Sequence, residues 1–567
     1  MTPSEIAAFL AGIAVIILLA RLFGHLAHRL GQPSVVGEII AGILLGPTLL
    51  GSLWPAFSEH LFPSADHVRA TFNALATLSV CLFMVVAGMD VDLVMIRRQG
   101  KNAGIIATLG TALPLFISLG LGYGFPSFWG CGQTSRYVFA LYFATAISIS
   151  ALPIIIRILT DLRLFKSNFG MMVVAVAILK DLFGWFLFSV VMALAGGASV
   201  PHRSPALTIL LTLTLVALSL TLGRKLVQRT LPWVQKQFPW PGVILTLIIS
   251  GSLLLAALTE WIGVHAVFGA FLGGILFGES LRFEAKTREI TEQFITNIFA
   301  PIFFASIGFQ ANFITALQPA LMAAVLGLAI IGKWISFSLG ARLAGLKPPE
   351  TQATSAALLS SGIMGIILGL VGLEKGFITR ELFVALVIMA LVTSILSGPL
   401  LSALLRLGQR KGLLEILDPD FFVTDLQAAN PAEAIRTLAR LLARKTGLPS
   451  EPLAEMVIAG EQAMSTGLGK GLALPHGQCA GIKRPYLAVG RSTQGIDFNA
   501  PDGKPSHWIF LLLTPQEQDL VQVQILSAIA RRFNDEKFRH ELRAIDTFHQ
   551  FRRLIETTSD ADSPGGL

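Results

Sequence analysis

The stretch GMMVVAVAILKDLFGWFLFSVVMAL, Gly170–Leu194, is almost unbroken apolar sequence with Lys180 and Asp181 at its middle. At about 1.5 Å per helical residue, a run of this length reaches across a hydrocarbon core of about 30 Å. A carboxylate at the centre of such a span is costly, so it faces a protein interior or a watery cavity. Asp181 is therefore the first candidate for function. The plain alternative is a carboxylate held in a structural pair with a lysine.

The rest of the chain agrees with that span. Of 567 residues, 53% are hydrophobic and 14% charged, which excludes a soluble globule of this length and defines an integral membrane protein. The net charge of +8 does not mark a nucleic-acid partner, because the basic residues fall in short loops between apolar runs. Cys81, Cys131 and Cys479 lie far apart with no CxxC spacing, so neither a disulfide framework nor a metal site is indicated, and no cofactor is expected.

About thirteen apolar runs are long enough to be candidate spans, from residues 4–22 to 380–405, with one at 262–278 and a short one at 295–309. The first, MTPSEIAAFLAGIAVIILLA, has no basic start and no cleavage site, and reads as a span rather than a removed signal. Lys and Arg crowd alternate loops, as in Arg97, Arg98 and Lys101 or Arg224, Lys225, Arg229 and Lys236. The positive-inside rule then puts the N-terminus outside and everything after residue 405 in the cytoplasm.

Beyond residues 1–405 the character of the sequence changes. RLGQRKG, residues 406–412, is a basic juxtamembrane linker, and residues 413–556 alternate charged and apolar residues as a soluble α/β domain does. Pro431 to Lys445 predicts an amphipathic helix with Ala434, Leu438, Leu441 and Leu442 on one face. Tyr486 to Gly490 and Trp508 to Leu513 predict buried strands, and Gln518 to Phe533 a second helix. The last residues, 557–567, predict a disordered tail.

Two spans are interrupted. ATAISISALPIIIRIL carries Thr145, Ser148, Ser150 and Pro153, and LLSSGIMGIILGL carries Ser360, Ser361, Gly362 and Gly365. They stand seven spans apart, at corresponding places in two six-span halves. Paired broken helices mark a transporter site built from inverted repeats, where freed carbonyls replace the water shell of a cation. The alternative for either span alone is an ordinary kink.

Several stretches resemble the monovalent cation:proton antiporters of the potassium-efflux and plant cation/H+ exchanger branch. They are GQPSVVGEIIAGILLGP (Gly31 to Pro47), FMVVAGMDVDL (Phe83 to Leu93), SISALPIIIRILTDLRL (Ser148 to Leu164), HAVFGAFLGGILF (His265 to Phe277), FFASIGFQANF (Phe303 to Phe313) and ELFVALVIMALVTSILSGPLL (Glu381 to Leu401). The resemblance covers nearly all of residues 1–405. It implies a thirteen-span inverted repeat with two crossed broken helices, usually a homodimer in the bilayer, working as a secondary transporter rather than an enzyme.

By the same resemblance Asp181 matches the carboxylate that binds a cation and a proton in turn, with Thr145, Ser148 and Ser150 as oxygen ligands. Lys333 matches a basic residue that pairs with a core carboxylate in many members. Lys180 stands where many members have Asp, Asn or Gln. Two ammonium groups beside one carboxylate would disfavour a cation, so Lys180 is neutral, or moves as Asp181 protonates, or points away. Ser361 and Gly365 stand where Arg and Glu are common. His265, at the start of the ninth span, reads as a hydrogen-bonding group rather than a ligand. Glu38 reads as a motif residue, and Asp90 and Asp92 as solvated span ends.

STGLGKGLALPHG, Ser465 to Gly477, resembles the phosphorylation segment of phosphotransferase-system IIA domains of the mannitol/fructose/nitrogen type. His476 then matches the phosphoryl acceptor and a phosphocarrier protein becomes a partner. The arginine and second histidine usual in such sites are replaced by Gly460 and Gln522. The expected function is exchange of K+ or Na+ for H+ across a bacterial inner membrane, regulated by the cytoplasmic domain. An anion transporter using Lys180 and Lys333, and a sensor that no longer transports, remain as alternatives.

Overall fold

Thirteen runs of spanning hydrophobicity fold as helices in the computed structural model, which describes all residues except 64, 92, 151, 163, 166, 196–204, 238–240, 279–284, 464, 517–518, 543 and 562–567. The chain divides into two units, Met1–Phe165 with Gly170–Leu400, and Leu401–Leu567 with Lys166–Phe169.

In the first unit, 11 helices among the described residues are long and apolar enough to cross a membrane. The bent pair Pro348–Ala357 and Gly362–Glu374, which meets at 42°, makes a twelfth. The expected run at 262–278 folds as Ala266–Gly278, only 13 residues. This helix borders residues 279–284, which lie outside the described residues, so the described residues count eleven to twelve spans against the expected thirteen.

Both expected breaks are present. Arg136–Ser148 ends at Ile149, whose extended φ −74° and ψ 150° leave the helical ladder, and Leu152–Asp161 resumes with Pro153 in its first turn. Pro348–Ala357 stops before Leu358, and the chain re-enters a helix at Gly362, whose φ of +49° suits only a residue without Cβ. The short Ala266–Gly278 lies against Asp66–Met89 at backbone distance. A Cβ on Gly274 would sit 2.2 Å from the Val85 carbonyl oxygen, and one on Gly88 2.2 Å from that of Phe271. Small residues of this kind let membrane helices pack closely.

Two acids read as motif or solvated groups have partners. Glu38 is buried within Ser34–Leu45, its carboxylate 3.8 Å from the Arg21 guanidinium. Asp90, just past Asp66–Met89, accepts from Arg288 at 2.6 Å, whereas Asp92 lies outside the described residues.

The second unit is built on one sheet of β1 Phe422–Val423, β2 Gly467–Gly469, β3 Leu472–Ala473, β4 His476–Cys479, β5 Tyr486–Ile496 and β6 Ser506–Pro515. Its order is β1-β5-β6-β3-β2, with β4 also paired to β6. The antiparallel β5–β6 pair sets Leu487 against Leu512 and Val489 against Phe510. Strand side chains alternate between faces, so each face makes its own core. Leu487, Val489, Phe510 and Leu512 pack with Ile525, Ile529 and Phe551. Ala488, Ile509, Leu511 and Leu513 pack with Ala434, Leu438, Leu442 and Val457. The helices behind these faces, Pro431–Thr446 and Asp519–Asn534, are the two that the sequence predicts. The helix Arg380–Ile416 continues through the expected linker, and Phe548–Ala561 covers the start of the expected tail, whose end lies outside the described residues.

Candidate functional site

Asp181 sits at the middle of Asn168–Leu194 and is 3% exposed. Its Oδ1 has no hydrogen-bond partner among the described residues. Asp181, Met84, Pro153, Trp185, Phe271 and Met364 line a cavity of about 10 Å³, room for about one water or small cation. Trp185, one turn beyond Asp181, also has a buried indole N–H without a partner among the described residues. A buried acceptor and a buried donor thus belong to residues bordering one small space.

The three expected oxygen ligands are all fully buried. Thr145 Oγ1 donates to the Leu141 carbonyl at 2.7 Å and Ser148 Oγ to the Thr145 carbonyl at 3.0 Å, closing their own helix end. Ser150 Oγ donates to the Leu358 carbonyl at 3.3 Å and so ties the first break to the second. Their hydroxyl hydrogens are engaged, and each oxygen keeps lone pairs.

Neither lysine lies in an ion pair with Asp181 among the described residues. Lys333 Nζ, from Pro319–Leu343, donates at 2.6 Å to the Ile149 carbonyl in the first break and at 2.6 Å to Ser361 Oγ in the second. It is a clamp between the breaks, where the resemblance implied pairing with a carboxylate. Ser361, at the position where an arginine was anticipated, takes that ammonium, and its own N–H donates to Thr393 Oγ1 at 3.1 Å. Lys180 Nζ donates to the Gly110 carbonyl at 3.1 Å and stands 4.2 Å above the Phe337 ring. Each accepting carbonyl has a proline four residues further on, Pro153 after Ile149 and Pro114 after Gly110. Proline has no N–H to give, which leaves the Gly110 carbonyl open within its helix, while the Ile149 carbonyl is open because Ile149 has left the helical ladder. Pro114 and the break were the signal in the sequence for where the two ammonium groups go.

His265 Nδ1 accepts from the Val267 N–H at 3.3 Å, the hydrogen-bonding role expected of it. In the second unit His476 opens β4 with Nδ1 2.9 Å from the Leu474 carbonyl. A carbonyl only accepts, which assigns the proton to Nδ1 and leaves the Nε2 lone pair for an electrophile. A Cβ at Gly460 would come 4.0 Å from the His476 carbonyl, so the position without its arginine is beside the site. Gln522 accepts from Gln478 Nε2 at 3.0 Å and from Thr514 Oγ1 at 3.2 Å. Gln478 lies two residues along β4 from His476, on the same face.

Broken helices meeting beside a buried, partly unpaired carboxylate define a secondary transporter of small ions. Residues 13–407 match the family described as sodium/hydrogen exchanger, transmembrane, and the chain belongs to that family. Residues 415–558 match the EIIA 2 component of the phosphoenolpyruvate-dependent sugar phosphotransferase system, so the exchanger is fused to a domain of that type. The chain is 32% identical over 407 residues to the Na(+)/H(+) antiporter NhaS4 of Synechocystis sp., covering 70% of this chain and 98% of that protein. It is 30% identical over 431 residues to K(+)/H(+) antiporter 1 of Saccharomyces cerevisiae, covering 73% of this chain and 48% of the yeast protein. The sodium proton antiporter MjNhaP1 from Methanocaldococcus jannaschii shares the fold, with a TM-score of 0.50 at 15% identity over 70% of this chain and 97% of its own.

Proposed function

We propose that this protein exchanges K+ or Na+ for H+ across a bacterial inner membrane, with Asp181 as the group that takes cation and proton in turn. Residues 1–405 are the exchanger, two six-span inverted repeats in a homodimer with the N-terminus outside. Residues 413–556 form a cytoplasmic regulator. Thr145, Ser148 and Ser150 supply lone pairs near the first break, and Lys333 holds the two breaks together.

The observation that carries this reading is a carboxylate buried in the membrane unit yet left without an ammonium partner among the described residues. Three separate cavities follow one helix face towards it. A cavity of about 710 Å³ and a second of about 20 Å³ share Asn73 and Gln310. The second also takes in Ala76, Thr77 and Val80, and the cavity at Asp181 takes in Met84 and Ala87. These residues follow one another at helical spacing along Asp66–Met89. The opposite wall repeats the pattern, with Ile367, Leu370, Val371 and Glu374 at the second cavity and Ile363 and Met364 at the third.

The test is reconstitution into vesicles with a trapped pH dye. Na+ or K+ is expected to evoke proton movement that Asp181→Asn abolishes. Proton movement that follows anions and disappears in Lys180→Ala would replace the reading with an anion carrier. Absence of flux with any substrate would leave a sensor. The regulatory part rests on the free Nε2 of His476. Incubation with general phosphocarrier proteins is expected to add one phosphoryl group, seen by mass spectrometry and absent from His476→Ala.

A further inference from the structure

We propose that Gly110, Pro114 and Phe337 form a dock that holds the Lys180 ammonium off Asp181, and that the integrity of this dock sets the affinity for the transported cation. The inference rests on the reading of Asp181 as the exchanging group.

Three helices contribute, and each contribution is specific. In Gln99–Gly124 the Gly110 carbonyl would ordinarily take the N–H of residue 114, which is proline. An unpaired carbonyl away from water is costly, and Lys180 Nζ satisfies it at 3.1 Å. In Pro319–Leu343 the Phe337 ring presents its negative face to the same ammonium at 4.2 Å. Gly110 lets that ring approach, since a Cβ there would lie 2.4 Å from it. The third helix, Asn168–Leu194, carries Lys180 itself, fully buried next to Asp181 in sequence.

Adjacent residues on a helix diverge by about 100°, so docked Lys180 points away from the carboxylate. Its stem is long and flexible, however, and Lys180 is the residue next to Asp181 in the chain. An ammonium tethered one residue away acts at high effective concentration. Undocked, it competes with a free Na+ or K+ for the one carboxylate oxygen that has no partner. The dock therefore positions a competitor, and none of its three residues lines the cavity at Asp181.

The test compares cation KM and maximal rate in vesicles for the wild type and four variants. Pro114→Ala restores the N–H, closes the Gly110 carbonyl into its own ladder and leaves Lys180 without its acceptor. Its KM for Na+ or K+ is expected to rise about tenfold, as for the loss of one charged hydrogen bond, with the maximal rate within about twofold. Phe337→Leu keeps the carbonyl and is expected to raise KM less. Lys180→Met leaves KM at or below the wild-type value, and Pro114→Ala combined with Lys180→Met returns to it. An unmoved KM in both Pro114→Ala and Phe337→Leu overturns the dock, as does a rise in Pro114→Ala that persists without the lysine, because that would be a bent helix and nothing more. Either result leaves exchange through Asp181 standing. Wild-type flux indifferent to Asp181→Asn would instead remove both readings together.

Discussion

The two units hold their lysines in opposite ways. In the membrane unit Lys180 and Lys333 are buried and bind backbone carbonyls left open by a proline or by a helix break. In the second unit Lys445 is 42% exposed and binds carboxylates, Asp418 at 2.5 Å and Asp420 at 3.6 Å. The contrast follows from the solvent. Setting a carboxylate beside each buried ammonium would bury a second charge whose desolvation rivals the attraction gained. An open carbonyl needs a donor in any case and brings only a dipole. In water a carboxylate is an inexpensive partner and contributes little. The membrane unit can therefore keep positive charge near its centre while leaving Asp181 uncommitted to it.

That contrast can be broken most directly at Lys333. Lys333→Met leaves the Ile149 carbonyl and Ser361 Oγ both unpaired, and is expected to cost about 2–4 kcal/mol in stability, read as thermal unfolding in detergent. Lys180→Met leaves only the Gly110 carbonyl and should cost about 1–2 kcal/mol. Equal losses would mean that the clamp between the breaks adds nothing to a single carbonyl contact. The smallest effect belongs to Asp418→Asn. The hydrogen bond from Lys445, above all, holds the Asp418 carboxyl below its ordinary value of 3.8. A depressed carboxylate stabilises the fold above its unfolded value, and that contribution fades as pH falls through the lowered one. The difference in unfolding midpoint between wild type and Asp418→Asn should therefore be present at neutral pH and close in acid. A difference that persists at acid pH would show that packing, not charge, holds that contact.

Much of the layout is legible in the sequence, because it rests on local chemistry. The charge inside Gly170–Leu194, the two Ser/Gly/Pro breaks and the alternation along β5 and β6 are each readable within a few residues. The partners of the charged groups are another matter. Lys180 meets Gly110 from 70 residues away and Lys333 meets Ile149 from 184. Such pairings depend on which helices become neighbours, and only Pro114 and the first break hint at which carbonyls are open. The pairing of Glu38 with Arg21 was missed for the same reason. The run at 262–278 starts later than read because hydrophobicity alone does not say where a helix starts, and the helix begins only after His265 has capped it. In the second unit the motif located His476, while the arrangement of Gln478, Thr514 and Gln522 beside it depends on strand register.

The seam between Asp66–Met89 and Ala266–Gly278 has a mechanical consequence. A Cβ on Gly88 or Gly274 would lie 2.2 Å from a carbonyl oxygen of the facing helix, so the two backbones have no slack to slide past one another. Whatever displacement accompanies an ion's passage, these two helices travel as one piece.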